Sequence, residues 1–129
     1  GKSLNEAIDI GQIEGGFVQG LGWLTCEELY FNNIGKLLTV GPSTYKIPAV
    51  SDMPEKFNAE IFKKGKNIEN VINKSKTTGE PPLMNDMSVF FAIKNAIAYI
   101  VNYTINPKLD APATTEKILM SIKNLKSKI

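Results

Sequence analysis

Histidine and arginine occur nowhere in the 129 residues, and cysteine and tryptophan occur once each. With no histidine and Cys26 alone, the chain cannot assemble within itself a zinc site, iron–sulfur ligation or a histidine-based triad. With no guanidinium it cannot grip phosphate or carboxylate through a planar fork. All 15 basic side chains are lysines, and their densest run, Lys63 to Lys76, is interrupted by Glu69 and holds few aromatics. That composition reads as a solvated face and disfavours nucleic acid as a partner. No segment has the charged start, apolar middle and cleavage site of a secretion signal. The expectation is a cytoplasmic, soluble protein that does not contact membrane. Its length fits one domain. Because residue 1 is glycine and patterned sequence begins at once, the chain reads as a piece of something longer. Whatever chemistry it supports rests on carboxylates, amides and backbone, or on a cofactor held without covalent protein ligands. Cys26 reads as a small buried hydrophobe.

What is present centres on Ser75 to Leu83, and within it on Gly79, Glu80, Pro81 and Pro82. Each proline fixes its own φ and biases the preceding residue toward extended geometry, so Glu80 stands on a stiff mount. Gly79, having no Cβ, permits close approach of another group or a φ forbidden to other residues. A helical pattern begins a few residues on, which puts the carboxylate at a helix entry. That is a suitable mount for an acid or base whose position must not drift. The same four residues also fit a rigid loop whose glutamate caps a helix or pairs with a lysine.

The spacing of Ile10, Ile13, Phe17, Leu21 and Leu24 predicts a helix over Leu4 to Leu24, capped by Asn5 or Ser3. Gly11, Gly15, Gly16, Gly20 and Gly22 crowd it, each costing up to ~1 kcal/mol against alanine. Close approach of another backbone, a sheet or a ligand must compensate. Gln12, Glu14 and Gln19 interrupt the apolar spacing and need polar partners if buried. Thr25 to Phe31 and Lys36 to Val40 read as a hairpin joined by a loop at 32–35, Phe57 to Phe62 as a half-buried strand, and Ile68 to Asn73 as strand or short helix. Gly41 to Pro48 reads as an ordered extended loop. Met87 to Tyr103 is a second apolar helix with Asp86 as its N-cap, and Thr114 to Lys128 a third, with Glu116 near its start and lysines near its end. The predicted fold class is therefore α+β: a long glycine-rich helix, a small mainly antiparallel sheet and two C-terminal helices.

The run from Ser3 to Gly22, including Gly11-Gln12-Ile13-Glu14-Gly15-Gly16, resembles the glycine-rich helix of the molybdopterin-binding part of the xanthine dehydrogenase and aldehyde oxidase family. Gly41 to Pro48 (GPSTYKIP), Ser75 to Leu83 (SKTTGEPPL), Ser88 to Ala96 (SVFFAIKNA) and the tail Leu109 to Leu119 follow in that family's order. Trp23 to Leu29 looks most like the separate molybdenum subunit of bacterial xanthine dehydrogenases. The resemblance implies that residues 1–129 are the C-terminal portion of a molybdopterin-binding domain. Glu80 would be the catalytic general base, taking the proton of the hydroxide that hydroxylates a purine or aldehyde carbon. Gln12 would contact the molybdopterin, Gly11, Gly15 and Gly16 would let the cofactor or adjoining backbone approach closely, and Gly79 would lie beside the metal's ligands, with no residue here binding metal directly. It also implies partners: the remainder of the molybdenum subunit, modules carrying FAD and 2Fe-2S clusters, and a purine substrate. An aldehyde-oxidising relative and a non-catalytic remnant are the alternatives. The sequence departs from the family pattern at Glu6, Thr77 and Thr78, and at Asn85 and Asp86, which stand where small or apolar residues are usual. Asp86 is expected to cap the next helix; facing the site instead, it would raise the pKa of Glu80.

Overall fold

A computed structural model describes all residues, 1–129. Asn5 opens α1 (Glu6–Thr25) by accepting from the backbone N–H groups of Ala7 and Ile8, with Glu6 and Asp9 in the first turn where the helix dipole favours negative charge. Ser3 is not the cap; its hydroxyl donates to Asp9. Next come a 3₁₀ turn at Val50–Asp52 and another at Ile72–Lys74. The one-turn helix α2 (Glu80–Leu83) then runs through a 3₁₀ turn, Met84–Asp86, into α3 (Met87–Tyr99). Asn102 and Tyr103, both at positive φ, end that helix, and the Tyr103 N–H closes the turn onto the Ala98 carbonyl. The last helix, α4 (Thr115–Lys126), is capped by the Thr114 hydroxyl, with Lys123 and Lys126 in its final turn.

The predicted antiparallel sheet is absent: helices account for 45% of residues and strand for 2%, so the fold is helical with long irregular connections, not α+β. The hairpin turn does form. Asn32 accepts through its side chain from the N–H groups of Ile34 and Lys36, and Gly35 takes φ 77°, a left-handed conformation suited to glycine. Yet only Phe31 and Leu37 pair, antiparallel, and no third segment joins them. Residues 57–62 keep the predicted alternation, with Phe57, Ala59 and Ile61 half-buried between exposed neighbours, but lie in extended backbone with no ladder partner. The strand pattern is present in the sequence, whereas a sheet needs neighbouring backbone that this chain does not supply.

The core is small. Ile97, Val101, Leu109, Ala113 and Leu125 form it, with Phe90, Ile93, Ile105, Ile118 and Ile122 packed around them. Burying each of Ile97, Val101, Leu109 and Leu125 contributes roughly 1.5–3 kcal/mol. The Ala113 N–H donates to the Leu24 carbonyl at 2.7 Å, tying the tail to the end of α1. From Trp23 to Pro81 no residue is buried. The accessible surface is 10062 Å² for 14.2 kDa, against about 6,800 Å² for a folded monomer of that mass. The surface exceeds that of such a monomer by roughly half, and large apolar side chains such as Val40, Val50, Phe62 and Ile68 are exposed on it.

Candidate functional site

Two rows of glycine, each spaced by four residues, lie on different faces of α1. A Cβ on Gly16 would overlap the Gly79 carbonyl oxygen and stand 3.3 Å from Pro82 Cβ; one on Gly20 would overlap the Asp86 carboxylate and stand 2.6 Å from the Leu83 carbonyl. The Glu80-bearing turn can therefore lie against the helix only where α1 lacks side chains. A Cβ on Gly11 or Gly15 would meet nothing within 4 Å. Their row is open.

Between that open row and the turn lies a cavity of about 590 Å³, lined by Gly11, Gln12, Gly15, Gly16, Gln19, Trp23, Gly79, Glu80, Leu83 and Met84. All five site residues singled out in the sequence, Glu80, Gln12, Gly79, Gly11 and Gly15, meet here. Gln12 Oε1 is 3.1 Å from the position a Cβ on Gly79 would take, so the two segments are in contact across 67 residues of chain. A larger cavity, about 700 Å³, lies between Glu6 and Ile10 and residues 59–64. It holds only Glu6, Glu60 and two lysines as charged groups, and none of the predicted chemistry, so the Glu80 cavity is the stronger candidate site.

The mount of Glu80 differs from the expectation. Glu80 is the first residue of α2, followed by the two prolines, and Gly79 before it has φ −83° and ψ −43°, so the segment is helical and not an extended rod. Prolines are tolerated in a first turn because the N–H groups they lack have no helical acceptor there. The rigidity survives by another route, and Gly79 is used for close approach and not for an unusual φ.

Sequence reasoning names neither Trp23 nor Met84 as lining residues and reads Gln19 only as an interruption of the apolar spacing. A signal for two of them is in the sequence: Gln19 and Trp23 follow Gln12 by seven and eleven residues, on the same helical face. Asp86 is also corrected. Its side chain makes no cap bond to α3 and does not face the cavity; it is fully buried against α1. Cys26 is half-buried at the C-cap of α1. Behind the site, Tyr45 donates its hydroxyl hydrogen bond to Glu27, and the carboxylate pushes the phenol's pKa up. This contact fastens the 41–48 loop to the end of α1.

The pocket's chemistry is that of a polar, partly flat ligand. It offers two amide side chains that can donate and accept, one carboxylate, an indole, and a strip of bare backbone along Gly11 and Gly15. No lysine lines it. The residues fit a pterin-type cofactor on one side, while a phosphate on such a ligand would need cations from beyond this chain.

Residues 1–54 match the family described as Molybdopterin cofactor-binding domain (MoCoBD_2). That match takes in the first 54 residues, the glycine-rich helix and the loop that follows it. More particularly, the chain is 52% identical over 123 residues to rat "Xanthine dehydrogenase/oxidase", 48% identical over 131 residues to Arabidopsis thaliana "Xanthine dehydrogenase 1", and 48% identical over 124 residues to Dictyostelium discoideum "Xanthine dehydrogenase". Each of these alignments takes in 92–94% of this chain but only 9–10% of the relative. Over nearly all of its length the chain is thus similar to a segment of xanthine dehydrogenases, and it spans about a tenth of the length of the curated relatives it matches.

Proposed function

We propose that this chain is the C-terminal portion of the molybdopterin-binding domain of a xanthine dehydrogenase-type molybdenum hydroxylase, and that Glu80 is its general base. The observation that carries the reading is the convergence of Glu80, Gln12, Gly79, Gly11 and Gly15 on one cavity, in a chain about half identical to xanthine dehydrogenases. The net reaction replaces a C–H of hypoxanthine or xanthine by C–OH, with oxygen from water and release of two electrons and two protons. Bound molybdopterin would supply the redox-active metal. Glu80, held at the start of α2 by Pro81 and Pro82, would accept the proton of the oxygen nucleophile. Its backbone anchor against α1 would keep the carboxylate from swinging onto the metal. Gln12 would orient the cofactor by donating and accepting through its amide. Trp23 and Met84 would supply apolar walls that exclude water.

The remaining cofactor contacts would come from the rest of the molybdenum subunit, and the electrons would leave through FAD and 2Fe-2S modules elsewhere in the assembly. The likeness of Trp23 to Leu29 to the separate molybdenum subunit of bacterial enzymes belongs to the same reading, as does a cytoplasmic location. What the structure states directly is that no helix is long and apolar enough to cross a membrane.

The test is Glu80→Gln in the complete enzyme. The amide keeps the shape and loses the basicity, so turnover falls by about 10²–10⁴-fold while molybdenum content stays near normal. Retention of most of the rate would refute the role. Gln12→Ala, measured in parallel, lowers molybdopterin occupancy instead.

A further inference from the structure

Asp86 is the only fully buried large side chain of the molecule, and neither of its carboxylate oxygens has a hydrogen-bond partner. It occupies the notch that Gly20 leaves in α1, beside the Leu83 carbonyl, at the end of the turn that begins with Glu80. We propose that Asp86 is a positioning residue: seated neutral in the Gly20 notch it holds the Glu80 turn on α1, and its ionisation loosens that turn. The inference concerns how the turn is held and stands whether or not Glu80 is the base.

The physical argument is one of desolvation. An ionised carboxylate enclosed without a formed hydrogen bond is disfavoured, whereas a neutral carboxyl has a proton to donate and carbonyl oxygen close by. Burial pushes the Asp86 pKa up to about 6, and the nearby Leu21 N–H offsets this only in part. The charged groups on the elements packed against it are Glu6, Asp9 and Glu14 on α1, Glu80 on α2 and Lys94 on α3. None forms an ion pair with it, the two pairs of the molecule being Lys46–Asp52 and Lys117–Glu28. None contributes to its raised pKa.

For an acid whose pKa is higher when docked, the docked state binds the extra proton. Docking is therefore strongest below the ordinary aspartate pKa, near 3.9, weakens as pH rises toward 6, and levels off above it. The experiment is amide hydrogen exchange of the non-proline residues among 79–86 in the intact protein from pH 5 to 8, corrected for intrinsic rates, with Asp86→Asn and Asp86→Ala alongside. The wild type loses about tenfold protection between pH 5 and 8, nearly all of it below pH 7. Both variants are flat across the range. A flat wild-type profile overturns the proposal, as does an equal fall in the variants, which would assign the titration to another group. If Asn fails to fold, Ala is read in its place. Failure of both to fold at every pH also overturns it, because a neutral side chain should suffice.

Discussion

The two glycine rows of α1 are alike in sequence and opposite in use. Gly16 and Gly20 are filled by the chain itself, the first by the backbone at Gly79 and the second by Asp86 and Leu83. Gly11 and Gly15 are left bare, facing a cavity. One row fixes where the Glu80 turn sits, and the other keeps space clear in front of it. The difference teaches that a glycine-rich helix can carry two signals at once, and that the residues each glycine meets, not their number, tell the signals apart.

Substitutions by alanine break this comparison in order of size. Gly20→Ala has the largest effect, because its methyl meets both the buried Asp86 carboxylate and the Leu83 carbonyl, whereas one on Gly16 meets a single carbonyl, that of Gly79; it lowers unfolding stability by about 1–3 kcal/mol in a denaturant titration. Adding Asp86→Ala recovers part of that loss and no more, since the Leu83 carbonyl remains in the way. Gly16→Ala destabilises less globally but displaces Gly79, so it lowers turnover of the complete enzyme more than it lowers the melting temperature. Gly15→Ala and Gly11→Ala meet nothing and gain up to ~1 kcal/mol of stability from helix propensity. If the open row receives a cofactor, the same two variants lose molybdopterin content, measured as metal per protein. A gain in stability with undiminished metal would remove the open row from the site.

Legibility in the sequence follows the same division. Helices α1, α3 and α4 are readable because each carries its own apolar period; Asn5, one of the two expected caps, opens α1, while Thr114, read as the first residue of the last helix, is its cap. The convergence of Gln12 and Glu80 is anticipated by resemblance, and glycine crowding gives an independent hint of close approach. The sheet is misread because alternation at 57–62 and the turn at 32–35 describe what those residues prefer, not whether a partner strand exists. Asp86 is misread because an aspartate before a helical pattern is ordinarily a cap. Only the packing of α1 against the turn reveals the notch that takes its side chain instead.

The extended run 57–62 has a consequence for the handling of this polypeptide. Residues 57–61 make no backbone–backbone hydrogen bond, and Phe62 is exposed at the end of the run. Such a run recruits whatever strand arrives first. With no partner strand in the chain, the molecule would self-associate through this stretch, and raising its concentration would yield precipitate before it yielded crystals.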